Sequence, residues 1–267
     1  RERLGGMDTQ YAARYRELFE RHWWWRARER VILDALRAHR PAGGWRNVLD
    51  VGCGDGLFFD ALARLGVELV EGVEPAEALV SPDGPHAARI HVAPFDASFD
   101  RGRRYSLVLM LDVLEHLADP AGALRRAVTL LEPDGMFLAT VPAFLGLWTR
   151  HDDLNHHYTR YDKRSFRALA DAAGLRIDEA RYFFHWTALA KLGTRLVEAI
   201  VPGVPGSPSV PPEPINAALY ALSRLEQRVA GALPLPFGSS LLVVGGRRDG
   251  GRMVTPVGGP ETRGWLR

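Results

Sequence analysis

A chain of 267 residues, 46% apolar and 25% charged, can bury one large core without disulfides or a structural metal. Its net charge of +2 is too small to argue for nucleic acid, and the basic run at 101–104 reads as a solvated loop. Cys53, the single cysteine, excludes an internal disulfide and a one-chain thiolate zinc site. No stretch reaches the roughly 20 uncharged apolar residues of a membrane span. With no signal-peptide pattern either, the expected location is cytoplasmic.

Arg1 to Gly6 precede Met7 and are expected to be expression-derived or a misassigned start. Asp8 to His39 is helical in pattern, with Tyr11, Tyr15, Leu18 and Phe19 on one face and Val31, Ile32, Ala35 and Leu36 on another. Between these faces lies HWWWR. Adjacent helical residues point about 100° apart, so Trp23, Trp24 and Trp25 cannot share one core. At least one is expected to be exposed or to touch a ligand or partner, and Trp24 is the candidate for the acceptor side.

NVLDVG follows as a short buried strand, then GLFFDALARLG as a helix closed by Gly66, then VELVEGVE and ARIHVAP as strands. YSLVLMLD is a fully apolar strand. Asp119 and Pro120 form an N-cap and first-turn pair for AGALRRAVTLL, and PDG turns the chain into the strand MFLATVP. RSFRALADAAG is a helix stopped by Gly174, and LRIDEARYFF is a strand. Two helices, about 186–200 and 214–232, flank a stiff link, VPGVPGSPSVPPEP, that cannot pair in a sheet. Their apolar positions, Leu189, Leu192, Leu196 and Ile200 on one and Ile215, Leu219, Leu222, Leu225 and Val229 on the other, are expected to cover the core. SSLLVVGGR is the last strand. Strands alternating with helices predict an α/β fold, a Rossmann-like, mainly parallel seven-stranded sheet with helices on both faces.

Ligands of such a sheet sit outside the carboxyl ends of its strands, where strand order reverses. The first strand ends there in LDVGCGDG, bringing Asp50, Gly52, Cys53 and Gly54 to a sharp turn ahead of a helix N-terminus. Leu57 stands where a dinucleotide fingerprint needs its last glycine, which weighs against NAD. Glu74 ends the second strand, twenty residues after Gly54, where a carboxylate can hold both hydroxyls of a ribose.

VLDVGCGDG, VEGVEP, the acid of APFDASF, YSLVLMLDVLEHLADP and LLEPDGMFLATVP, in this order over about 45–185, resemble the motifs of class I S-adenosylmethionine-dependent methyltransferases. HWWWRARER and LPFGSSLLVVGGR resemble the subgroup that accompanies bacterial sugar, lipid and secondary-metabolite pathways. The resemblance implies S-adenosylmethionine as cofactor and S-adenosylhomocysteine as product. It implies that Gly52, Cys53 and Gly54 pack on the methionine portion and that Glu74 holds the ribose. Pro75 would flank the adenine, Asp96 would accept from its amino group, and Leu111 and Asp112 would lie beside the sulfonium with His116 one turn on. The chain then divides into an N-terminal helical segment (1–44), a cofactor-binding core (45–185), a helical lid-like insertion (186–238), the last core strand (239–247) and a flexible tail (248–267).

HDDLNHHYTRYD begins nine residues after Pro142, on the edge that carries the glycine loop. A histidine suits proton abstraction near neutrality and an aspartate can fix its tautomer. His156 with Asp152 is the leading pair, followed by His157 and His151; Tyr158, Arg160 and Tyr161 are candidates for acceptor binding. The alternative is a hydrogen-bonded loop that shapes the pocket and caps the next helix. No metal is expected, since no second carboxylate pair is identifiable. The expected activity is methylation of a small-molecule acceptor, foremost a hydroxyl of a sugar or secondary metabolite, by a monomer or homodimer. Nitrogen or carbon acceptors, an NAD-dependent oxidoreductase and a non-catalytic cofactor-binding scaffold are the alternatives.

Overall fold

The structure is a computed structural model that describes residues 9–201, 208–231 and 233–249. The expectations for residues 1–6, for 202–207 of the proline-rich link and for the tail beyond 249 lie outside the described residues.

The strands are β1 (Asn47–Val51), β2 (Leu69–Glu74), β3 (Ile90–Val92), β4 (Tyr105–Leu111), β5 (Leu131–Pro142), β6 (Leu175–Phe183) and β7 (Ser240–Arg247). They form one sheet in the order β3-β2-β1-β4-β5-β7-β6. Neighbours from β3 to β5 are parallel, and β7 runs antiparallel between β5 and β6. The central strands are apolar on both faces because both are covered. Val48, Leu107 and Leu109 pack on one side with α2 (Trp23–Ala38) and α3 (Phe59–Arg64). Leu49, Val108 and Met110 pack on the other with α4 (Pro120–Leu130) and α6 (Lys163–Ala173). Strand order reverses between β1 and β4, which puts the crevice at their carboxyl ends.

Local signals start the helices. Asp119 caps α4 by accepting from Gly122 N at 2.9 Å, with Pro120 in the first turn. Asp162 caps α6 by accepting from Ser165 N at 2.7 Å, and Ser165 Oγ accepts in return from Asp162 N. The single helical run expected from Asp8 to His39 is instead two helices, α1 (Thr9–Arg21) and α2, broken at His22, whose Nδ1 accepts from Trp24 N at 3.1 Å. A short helix absent from the sequence reading, α5 (Arg150–Leu154), opens the His/Asp stretch.

The break at His22 lets the three tryptophans diverge. Trp23 meets Trp186 at 5.1 Å, Trp24 meets Phe184 at 5.7 Å, and Trp25 meets the Tyr15 edge at 6.1 Å. All three are half-buried, so exposure, one of the two outcomes expected for at least one of them, is not the one taken. Three separate elements supply the surfaces that one core could not.

The insertion forms α7 (His185–Ile200) and α8 (Glu213–Val229), and here the structure corrects the expectation. Except for half-buried Leu219, the apolar stripes face outward rather than covering the core. α8 is seated by polar groups: Asn216 donates to Arg21 O at 2.8 Å and accepts from Trp23 N at 2.9 Å, and Gln227 donates to Ala27 O at 2.9 Å. Asn216→Leu leaves two part-buried backbone groups, Arg21 O and Trp23 N, without their side-chain partner at the α1–α2 junction. It is expected to lower stability by about 1–3 kcal/mol and to raise amide exchange in α8 first, as read by denaturant titration and hydrogen exchange.

Candidate active site

The glycine loop turns out of β1 directly beneath the crevice. Gly52 and Gly54 have φ of +71° and +52°, and the two differ in what surrounds them. A Cβ on Gly52 would meet Val113 at 2.7 Å, whereas one on Gly54 would project into open space. The loop is therefore clamped on one side and open on the other, as a backbone cradle for a ligand must be. Cys53 is buried and packs over Gly72, where a Cβ would come within 2.3 Å of its sulfur. Burial, with Asp50 and Glu74 nearby, pushes its thiol far up, so it fills space and is no nucleophile.

Glu74 is buried at the end of β2, its two oxygens accepting from Gly54 N at 3.0 Å and Ala76 N at 2.9 Å. Burial raises its pKa, and these bonds oppose the rise while fixing both oxygens at the crevice. Pro75 and Asp96 are exposed beyond β2 and β3, and Asp96 Oδ1 accepts from Ser98 N and Oγ. Asp50 lies beneath the loop; burial raises it to about 7, against the pull of Arg28.

At the end of β4, Asp112 adopts a left-handed conformation with φ of +57°. Its Oδ1 accepts from Thr140 Oγ1 at 3.0 Å, and its Oδ2 lies 2.7 Å from Arg28 Nε, an ion pair whose N–H is not aligned as a hydrogen bond. Arg28 also donates to Thr140 Oγ1 at 3.2 Å and stacks over Trp24, 5.6 Å from the ring centre. This buried guanidinium is the main residue that the sequence reading missed. RARER offers several arginines, and only the fold shows which one turns inward. Trp24, through Arg28, does adjoin the crevice.

The His/Asp stretch is ordered by one carboxylate. Asp152 is fully buried; its Oδ1 accepts from His157 Nδ1 and Arg160 Nε, both at 2.8 Å. Its Oδ2 accepts from Thr149 N at 2.8 Å, Arg160 Nη2 at 3.0 Å and Thr149 Oγ1 at 3.1 Å. Burial alone would raise its pKa, but these partners hold it well below the usual carboxylate range. The expected pairing of Asp152 with His156 is thus replaced by Asp152–His157. His156 sits exposed at φ of +56°, where the turn after α5 points it away. His151 is half-buried, its pKa lowered by burial and by Lys191.

Two candidates for acceptor contact are corrected. Arg160 is buried, spending its donors on Asp152 and on Ala143 O at 2.9 Å, so it positions the aspartate. Tyr161 is buried with its hydroxyl on Leu114 O at 3.2 Å. Tyr158 is exposed, its backbone N donating to Glu115 O at 2.7 Å. That bond draws the stretch against the end of β4, where the rings of His157 and His116 lie 4.7 Å apart, edge to face. Burial and His157 lower His116 to about 4, although its side chain retains solvent exposure. Glu115 is buried; its pKa is raised by burial and by Asp112, and its Oε2 has no hydrogen-bond partner among the described residues. One donor atom each of Glu115, His116 and His157 fall within 4.8 Å of one another, a set that could hold a metal ion.

Residues 8–180 match the family described as "Methyltransferase domain". The chain belongs to the class I S-adenosylmethionine-dependent methyltransferases. A Mycolicibacterium smegmatis protein named as a probable S-adenosylmethionine-dependent methyltransferase is 31% identical over 188 residues, 67% of this chain and 69% of that one. A Neisseria meningitidis ubiquinone biosynthesis O-methyltransferase is 34% identical over 118 residues, 41% of this chain and 49% of its own length. The chain thus spans about half the length of the first curated relatives it matches. A chain of a Haloferax volcanii complex between a methyltransferase activator and a methyltransferase superposes with TM-score 0.57 at 20% identity, covering 89% of this chain and 94% of that one. That likeness is one of fold.

The family's cofactor is S-adenosylmethionine, and the crevice fits it. Gly54 leaves room for a ligand, and Glu74 presents a fixed carboxylate at the crevice. Membership also removes the oxidoreductase alternative. Glu74→Gln is expected to weaken S-adenosylhomocysteine binding by about tenfold or more, the loss of one charged hydrogen bond. Titration calorimetry checks this, and unchanged affinity would move the ribose contact elsewhere.

Proposed function

We propose that this protein methylates a hydroxyl of a small-molecule acceptor, a sugar or secondary metabolite, with His157 as the general base and Asp152 as its positioning residue. The single observation that carries the reading is the 2.8 Å contact of His157 Nδ1 with a saturated, buried Asp152. It commits Nδ1 as the donor and leaves Nε2 as the nitrogen able to take a proton. The ring abuts His116, one turn past Asp112 at the cofactor crevice. The relatives named as O-methyltransferases favour oxygen over nitrogen or carbon as the accepting atom.

The cofactor supplies a sulfonium methyl that is already electrophilic, so the protein's task is alignment and proton removal. His157 takes the hydroxyl proton as the new carbon–oxygen bond forms and the sulfonium–methyl bond breaks, leaving the thioether product. Trp148 lies edge to face with His157 at 6.5 Å beside this path, and Trp24 and the exposed Tyr158 are the further candidates for acceptor contact. His157→Ala is expected to lower turnover by about 10²-fold or more with S-adenosylhomocysteine affinity retained, while His156→Ala leaves the rate nearly intact. The reverse order of the two alanine variants would return the role to His156. Cofactor binding without turnover on any acceptor in a broad panel would favour the scaffold.

A second reading rests on the unpartnered Glu115 Oε2 and on its convergence with His116 and His157. There Glu115, His116 and His157 would hold a divalent ion, which would supply Lewis-acid activation of the acceptor hydroxyl, with His157 as a ligand rather than the base. Dialysis against a chelator separates the two. The base reading expects full rate in the chelated protein; a loss restored by added Mg²⁺ or Zn²⁺ supports the ion.

A further inference from the structure

Most of the large apolar side chains exposed among the described residues fall between Leu189 and Phe237. On α7, Leu189, Leu192, Leu196 and Ile200 recur at helical spacing on one stripe, reaching 81% exposure at Ile200. On α8 the polarity is inverted. Asn216 and Ser223, at 1% and 0% exposure, face the protein, while Ile215, Leu225 and Val229, at 54–61%, face out. A water-facing helix has the opposite arrangement. Between the two helices lies an apolar groove of about 400 Å³ lined by Trp186, Leu189, Leu222, Leu225, Val229 and Phe237. An exposed apolar surface of this extent marks an interaction face.

The charges beside it identify the partner. Glu198 is turned inward onto Arg150 N at 3.1 Å, and Glu226 onto His185 N and Trp186 N at 3.0 and 2.8 Å. Arg195 and Arg228 are exposed. The exposed acid of the pair, Glu213, sits at the start of α8, the end opposite Arg228. The face is therefore apolar with basic flanks, the complement of an anionic lipid surface. A second copy packed face to face would bring the same basic flanks against each other.

We propose that the α7–α8 face docks on the surface of an anionic bilayer, with its leucine stripes at the boundary between headgroups and acyl chains. The attachment is interfacial, since no helix among the described residues is long and apolar enough to cross a membrane. α7 is tied to the segment leading into the His/Asp stretch, Arg195 donating to Gly146 O and Arg150 Nη2 donating to Glu198 O at 2.6 Å. Docking therefore carries the acceptor side of the crevice to the lipid surface. This holds whichever atom is methylated.

The test is co-sedimentation of the full chain with vesicles of phosphatidylcholine alone and of phosphatidylcholine with phosphatidylglycerol in equal parts. Binding is expected to be about tenfold or more stronger to the anionic vesicles and to weaken with salt. The double variant Leu192→Glu/Leu225→Glu is expected to lose it while keeping wild-type affinity for S-adenosylhomocysteine, which shows that the fold is intact. Absence of binding to anionic vesicles overturns the proposal, as does undiminished binding by the double variant. A dimer in sedimentation velocity that the double variant dissociates, without vesicle binding, assigns the face to a second copy instead.

Discussion

Asp152 is the constraint around which the stretch after β5 is built. Its carboxylate is fully buried and accepts five hydrogen bonds, from Thr149, His157 and Arg160. An unpaired carboxylate in that position would be prohibitively costly, and with all five partners it becomes a rigid hub. Thr149 starts α5 on it, Arg160 carries the connection back to Ala143 at the end of β5, and His157 is held with one nitrogen fixed. The isolated bridge between Ala143 and Tyr161 closes the same loop. Ring orientation at His157 is thus a consequence of chain closure, which is what a proton-accepting group requires if its reach is to be reproducible.

The same edge of the sheet also carries backbone strain. Among the described residues, four other than glycine have positive φ: Asp112 after β4, Phe144 after β5, Phe184 after β6, and His156 after α5. Left-handed backbone at bulky residues costs on the order of 1–3 kcal/mol each, and three of these follow strand ends facing the crevice. What holds them is packing. Phe184 is fully buried against Trp24 and Phe183, and Phe144 lies over Tyr182 at 4.7 Å. The amino end of the sheet shows none of this among the described residues, so strain is concentrated where the chain must turn sharply to leave room for ligands.

How much was legible in the sequence follows from this division. The glycine loop, Glu74, the Asp119–Pro120 start of α4 and the strand pattern are local signals, each spelled by neighbouring residues. The pairing of Asp152 was not, because three histidines in one stretch are equivalent until α5 fixes their directions. One available signal was passed over: Thr149 and Asp152 stand at capping-box spacing, which marks a helix start and predicts Asp152 folded back on Thr149. Arg28 and Glu115 carried no such mark; their importance lies in burial among residues distant in the chain. The outward stripes of α7 and α8 misled for a related reason, since periodicity shows that a helix has an apolar face but not which way it points.

The glycine-loop end and the opposite end of the crevice are accordingly different kinds of construction. The first uses backbone at the ends of β1 and β2, with a carboxylate fixed by two N–H groups. The second is assembled from side chains of α2, β4, β5 and the stretch after β5, joined through Arg28, Asp112 and Thr140. Arg28 belongs to the helix on which α8 is seated through Gln227 and Asn216. A polar inner face on α8 therefore does what an apolar one could not. It fixes the register of that helix on α2 through directional bonds, while leaving its apolar surface for contacts outside the chain.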